Sequence, residues 1–167
     1  DDYWATINGD ISWLDTSSIT DGTNMFRDTT INIDFEIAWV DISSITNAEW
    51  MFYGSEFNED FSNVDASSVT NANYMFARMV LDNDINNLDL SSVISVDYLF
   101  HRSTINGTIS NWDISSLTDG SRMFASGTYD NYGAIINSSL AGLDFSAITN
   151  MTSMFREATI DQDISWW

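Results

Sequence analysis

Leu14-Asp15-Thr16-Ser17-Ser18-Ile19-Thr20-Asp21, followed after three residues by Met25-Phe26, is the phrase on which this chain is built. It returns around Asp41/Met51-Phe52, Asp65/Met75-Phe76, Asp89/Leu99-Phe100, Asp113/Met123-Phe124 and Asp144/Met154-Phe155. In all six copies the Asp and the Met, once replaced by Leu99, stand ten residues apart. Successive Asp residues lie 26, 24, 24, 24 and 31 apart. A fixed period of that length marks a repeat array in which each unit buries its apolar face against its neighbours.

Working outward, three apolar columns precede each Asp by eight, four and one residues. They read Ile7, Ile11, Leu14, then Ile33, Ile37, Val40, then Phe57, Phe61, Val64. Later copies give Leu81, Ile85, Leu88, then Ile105, Ile109, Trp112, then Ile136, Leu140, Leu143. No useful stretch carries a 3.6-residue period, so short parallel strands and turns are expected. Around the Asp, apolar neighbours such as Val40 and Ile42 or Leu88 and Leu90 alternate with polar residues or Trp, which predicts a strand. The outward positions form a column of Trp13, Trp39, Asn63, Asn87 and Asn111. Ser-Ser suits a turn because short hydroxyl side chains bond nearby backbone. The Met-Phe step is expected to fill the far side of the core as one helical or 3₁₀ turn. The expected architecture is one β-rich solenoid domain over residues 1–167, with six full repeats plus a terminal half-repeat.

Composition narrows the function. A chain of 167 residues with 44% hydrophobic content can bury a real core. Its net charge of −20 comes from 25 acidic residues against five Arg, and Lys is absent. Such a surface repels nucleic acid and anionic lipid, which excludes a DNA-binding role, and it favours cations. Without Cys there is no disulfide, thiol catalysis or thiolate metal site. No apolar run reaches the length of a membrane span. All five Arg (Arg27, Arg78, Arg102, Arg122, Arg156) fall within three residues of a Met-Phe step or its Leu99-Phe100 counterpart, beside acidic residues such as Asp28 and Glu157 that they can neutralise. The single His101 stands where other copies have Arg27, Tyr53 or Arg156, and is read as a surface residue.

Asp15, Asp41, Asp65, Asp89, Asp113 and Asp144 form the most regular polar column. Unshielded on adjacent coils, these carboxylates would repel one another. Two arrangements relieve that: each caps its own Ser-Ser turn by accepting backbone N–H bonds, or a hard cation such as Ca²⁺ sits between coils on oxygen ligands. Asn106, Asn137 and Asn150 open Asn-x-Ser/Thr triplets, candidate glycosylation sites, although Asn106 and Asn137 share a repeat position that fits a side-chain ladder equally well. An insertion before the last copy, with Tyr129, Asp130, Asn131 and Tyr132 between Gly127 and Gly133, is expected to protrude as a binding loop. No convergent acid, base and nucleophile interrupts the repeat, so a non-enzyme is expected.

Ile109-Ser110-Asn111-Trp112-Asp113-Ile114-Ser115-Ser116-Leu117-Thr118 with Met123-Phe124 resembles the repeat of the BspA-like leucine-rich-repeat surface proteins, often assigned to a domain of unknown function. The family's central Met after Thr-Asn is matched only at Met151, and the fourth copy substitutes Ile94 for Thr and Leu99 for Met. The resemblance implies a leucine-rich-repeat-like right-handed coil, a secreted or cell-surface setting, and adhesion or interaction.

The two ends repeat each other: residues 5–14 and 158–167 agree at seven of ten positions. Trp4, Trp13, Trp166 and Trp167 fall in these terminal coils, where uncapped solenoids expose apolar residues and strand edges. The expectation is a structural surface protein that assembles head to tail into a filament through those Trp residues. The alternatives are an adhesion module for a surface protein or glycan, and a Ca²⁺-stabilised matrix protein.

Overall fold

The computed structural model describes residues 5–31, 40–56, 61, 64–86, 88–127 and 132–165. Among these the chain is β-rich, with parallel strands in two sheets and no helix. The strands are β1 (Ala5–Ile7), β2 (Thr29–Ile31), β3 (Val80–Leu81), β4 (Thr104–Ile105), β5 (Ile135–Ile136) and β6 (Thr159–Ile160). One sheet pairs β1 with β2, and the other runs β3-β4-β5-β6. Most are Thr-Ile steps, whose β-branched side chains suit a half-buried pleat. Equivalent residues pair in register, as in Ala5 with Thr29, Val80 with Thr104 and Ile136 with Ile160. A single bridge between Thr30 and Glu56 carries the pairing onto the following copy.

The strand expected around each Asp is a turn instead. Asp15 Oδ1 accepts the Ser17 N–H at 3.1 Å and its hydroxyl at 2.6 Å, and Asp41 does the same for Ser43. A carboxylate that captures the amide two residues on takes that amide out of any sheet ladder. The strands therefore lie earlier, at the first apolar column, except that in the second copy Ile31 and not Ile33 pairs with Ile7.

The Met-Phe step is a run of tandem turns rather than a helical turn. Met25 N–H bonds to Gly22 O and Arg27 N–H to Asn24 O, both i→i+3, but Asn24 and Asp28 have φ of 60° and 48°. A left-handed residue every fourth position interrupts any helix. The first such column reads Asn24, Trp50, Tyr74, Tyr98, Arg122 and Ser153, with φ between 55° and 60°.

This geometry turns one side chain per copy into a continuous core stack. Phe26, Phe52, Phe76, Phe100, Phe124 and Phe155 lie face to face with centroids 5.8, 5.8, 5.9, 5.3 and 5.1 Å apart. Met51, Met75, Leu99, Met123 and Met154 are buried beside it. From the other side come the apolar columns: Val40, Phe61, Val64, Leu81, Ile85, Leu88, Ile105, Ile109, Trp112, Ile136, Leu140 and Leu143 are all buried. Ile7, Ile11 and Ile160 are only partly covered, and Leu14 is exposed. Ile33, Ile37, Phe57, Trp39, Asn63 and Asn87 lie outside the described residues.

Candidate functional site

On the Asp face the polar side chains are committed locally. Asp65, Asp89, Asp113 and Asp144 accept the amides of Ser67, Ser91, Ser115 and Ser146 at 2.8–3.0 Å, completing the pattern of Asp15 and Asp41. Hydrogen bonds from the Ser side chain first, and its amide second, hold Asp15, Asp41, Asp65, Asp113 and Asp144 below the usual carboxylate range. The charges of Asp65 and Asp15 push Asp41 back upward without reversing the shift. Among the described residues, no group of three or more His, Cys, Asp or Glu is placed to hold a metal ion.

The three triplet asparagines lie in ladders running between copies. Asn106 Nδ2 donates to Asp82 at 2.5 Å, Asn137 Nδ2 to Asn106 at 2.6 Å, and Asn150 Nδ2 to Asp119 at 3.0 Å. Trp13 is 76% exposed, its indole N–H bonded to Asp10 O at 2.8 Å. Trp4, Trp166 and Trp167, with Tyr129, Asp130 and Asn131 of the insertion, lie outside the described residues. Tyr132 is exposed, with the Arg102 guanidinium 5.4 Å from its ring centroid, and both line a crevice of about 290 Å³ with Gly133, Ile135, Glu157 and Thr159.

One expectation about the opposite edge needs correction. His101 is buried, 7% exposed: its Nδ1 lies 3.1 Å from Ala125 O, and its ring stands edge-on to Tyr98 and Tyr74. The arginines do more than neutralise. Arg27 and Arg122 do pair with Asp28 at 3.2 Å and Asp97 at 2.9 Å. Yet Arg27 also lies over Trp50 and Tyr53, Arg78 over Tyr53 and Arg122 over Tyr98, at 4.7–5.7 Å. Such cation–π contacts gain strength where ring and cation are partly desolvated.

These rings belong to the left-handed column. Trp50 stacks on Tyr74 at 4.0 Å and Tyr74 on Tyr98 at 5.0 Å, with Arg27 and Arg122 at the two ends. Burial, and secondarily the Asp97 charge, push the Tyr74 hydroxyl up to about 12. The sequence signal was available: each ring immediately precedes the buried Met or Leu of its copy, in three consecutive copies.

Next to this column the ladder between copies fails at one place. Numbering copies by their Asp, the third and fourth are joined by Ala72 N–H to Ser95 O, Tyr74 N–H to Asp97 O, Phe76 N–H to Leu99 O and Ile94 N–H to Thr70 O, at 2.9–3.1 Å. The same set recurs between the first and second, second and third, and fifth and sixth copies. Between the fourth and fifth, of these four only Phe100 N–H to Met123 O forms, at 2.9 Å. The bridge that joins Asp21 to Asn47, Asn47 to Asn71, Asn71 to Ser95 and Asp119 to Asn150 has no counterpart between Ser95 and Asp119.

One capping residue differs at this seam. In five copies an Asp or Asn caps the amide two residues on, as Asn71 caps Asn73 and Asp119 caps Ser121. Ser95 holds this place in the fourth copy, and its hydroxyl turns back to Asn73 Oδ1 at 2.8 Å. The same oxygen takes the Asp97 amide at 2.6 Å. Asp119, acceptor-only as a carboxylate, offers Ser95 no donor. A crevice of about 360 Å³ opens there, lined by Asn73, residues 94–97, Asp119, Ser121 and Arg122.

No curated protein and no solved structure matches the chain. A family model does, over residues 2–81, 26–134 and 79–167, overlapping stretches that together run almost from end to end. With its repeated unit matched along nearly its whole length, the chain belongs to the family described as Mycoplasma protein of unknown function, DUF285.

Proposed function

We propose that this chain is a non-enzymatic, extracellular structural repeat protein, a solenoid of the leucine-rich-repeat-like kind that stacks head to tail into filaments. The observation that carries the reading is the match between its outermost strands. β1 and β6 carry Thr6-Ile7 and Thr159-Ile160, the sequence that already pairs in parallel inside the molecule at Thr104-Ile105. Ala5 N–H points inward to Asp28 O and Thr159 N–H to Ala134 O. Amides alternate along a strand, so Thr6 and Ile160 present theirs outward, where a second copy extends the sheet without a change of register. A heterologous contact of this kind that does not close produces a fibre. The extracellular setting rests on the resemblance to BspA-like surface proteins.

The test is the mass distribution and negative-stain appearance of the purified chain, with and without millimolar Ca²⁺. Long thin fibres lost in Thr6→Pro, which removes an outward amide while its exposed side chain leaves the core alone, are expected. Fibres that vanish on chelation would assign Ca²⁺ a place in the Asp columns. A monomer indifferent to Ca²⁺ would overturn assembly and leave an adhesion module for a surface protein or glycan.

A further inference from the structure

We propose that the crevice between the fourth and fifth copies is a binding site for a neutral polyhydroxyl ligand, a single sugar residue of a surface or matrix glycan. The inference does not rest on filament assembly.

The starting point is a set of backbone groups that their counterparts elsewhere use and these do not. Val96 N–H and Tyr98 N–H have no backbone acceptor across the seam, and Ile94 O, Asp119 O and Ser121 O receive no amide from it. Unpaired backbone groups need partners, from solvent or from a ligand. The volume, about 360 Å³, falls within the range of small-molecule sites.

The walls decide what kind of ligand. An anion would meet Asp97 and Asp119 in a chain of net charge −20. A cation would meet Arg122, whose guanidinium crosses the seam to Asp97 at 2.9 Å and lies over the Tyr98 ring. An apolar ligand would leave the amides and carbonyls unsatisfied. An inserted peptide strand needs a whole extra layer of about 4.8 Å along the seam, but the Phe100–Met123 bond and the Phe100–Phe124 stack at 5.3 Å hold one end at ordinary spacing. The space is a wedge, not a slot.

A sugar satisfies all of these conditions. Each hydroxyl both donates and accepts, matching a wall on which amide donors, carbonyl acceptors, carboxylates and a guanidinium alternate. Carboxylate and guanidinium edges suit vicinal diols, with Asp97 and Arg122 already fixed against each other. Ile94, 60% exposed at the rim, offers its methyl groups to the apolar face of a pyranose. The stacked Trp50–Tyr74–Tyr98 column is not the platform: its ring faces are covered by one another and, at the two ends, by Arg27 and Arg122.

The experiment is titration of the ¹⁵N-labelled full chain with millimolar glucose, galactose, mannose and N-acetylglucosamine, followed amide by amide. Saturable shifts centred on Val96, Tyr98 and Ser121 with at least one sugar are expected. The double variant Ile94→Thr/Ser95→Asn restores the residues of the third copy, lets the introduced amide side chain cap its own turn and closes the seam, so those shifts should be lost. Its fold is checked by an unchanged spectrum for the first two copies. Absence of saturable shifts with every sugar, shifts located elsewhere, or equal shifts in the closed variant would each overturn the proposal. Amide exchange without ligand checks the premise: Val96 and Tyr98 should exchange many-fold faster than Ala72 and Tyr74 in the intact seam. Equal protection would overturn the open seam itself.

Discussion

The seam between the third and fourth copies and the one between the fourth and fifth join the same elements, yet one is zipped and the other gapes. The core does not distinguish them: Phe76–Phe100 and Phe100–Phe124 stack at 5.9 and 5.3 Å, and all three rings are buried. The difference begins in side-chain capping, where Asn71 closes its own turn and Ser95 defers to Asn73. In a repeat array each interface is a nearly independent term, so a cap two atoms short can open one seam and leave the rest intact. Burial holds the copies together, and polar caps decide where the ladder closes.

The most severe way to break that comparison is to remove the ring common to both seams. Phe100→Ala should cost about 3–5 kcal/mol, as should Phe76→Ala. Phe100 stacks on Phe124 where three of the four turn-edge backbone bonds are missing, so only its variant should split urea unfolding, read by tryptophan fluorescence and by circular dichroism, into two transitions. Coincident single transitions for both variants would show that the open seam is as cooperative as the closed one.

Glycines give the next largest effect. Gly107 and Gly9 each stand six residues before the Asp of their copy. A Cβ at Gly107 would fall 1.7 Å from the Asn83 carbonyl oxygen of the preceding copy, whereas one at Gly9 meets nothing within 4 Å. Backbone cannot yield as a side-chain tip can, so Gly107→Ala should cost about 3 kcal/mol and Gly9→Ala within about 0.5 kcal/mol of nothing. Thermal melting of the two variants measures the contrast. Equal melting points would mean that the copies slide past one another freely.

Much of this was legible in the sequence. The period announced parallel pairing at fixed offsets, and the described apolar columns are buried except toward the first and last copies, where Leu14 and Ile164 stay exposed. The capping of Asp15 and its equivalents followed from the chemistry of an Asp two residues before a Ser. What was not legible depended on partners one copy away. His101 looked superficial because other copies carry Arg27, Tyr53 or Arg156 at its position, but it is buried by Ala125, Tyr74 and Tyr98 from three different copies. Strand and turn exchanged places around the Asp because a cap and a ladder compete for one amide, and periodicity registers no such competition. The open seam needed Ser95, Asn73 and Asp119 to be seen together.

The left-handed column offers a finer comparison. Ser153 and Tyr74 occupy equivalent positions with φ of 56° and 55°. Ser153 is exposed, while Tyr74 is held between Trp50 and Tyr98. Glycine relieves the steric cost of this conformation, so Ser153→Gly should stabilise by about 0.5–1 kcal/mol. Tyr74→Gly should destabilise despite the same relief, because the stack outweighs it. Melting midpoints shifting in the same direction for both would show that the aromatic column contributes nothing.

The smallest effects, spread over every copy, come from pH. The capped carboxylates of Asp15, Asp41, Asp65, Asp113 and Asp144 are held below their ordinary value of 3.8. A group whose folded value is depressed contributes stability above its unfolded value and loses it as pH falls through the folded one. The caps therefore act fully at neutral pH and fail below 3.8. Repulsion among 25 acidic residues runs the other way and is relieved on approach to the isoelectric point near 4.1. The melting midpoint should consequently hold down to that point and fall below it. Asp41→Asn keeps an oxygen for the Ser43 amide and should flatten the acid limb slightly, whereas Asp41→Ala removes the cap and should lower the midpoint at neutral pH as well. At the open seam Asp119→Asn adds an amide donor that can reach toward Ser95, the contact that Asn71 already makes to Asn47 at 3.0 Å. It should slow exchange at Val96. If Asp119→Asn left that amide unprotected while Ser95→Asn protected it, the seam would be governed by the fourth copy's cap alone and not by the missing donor opposite.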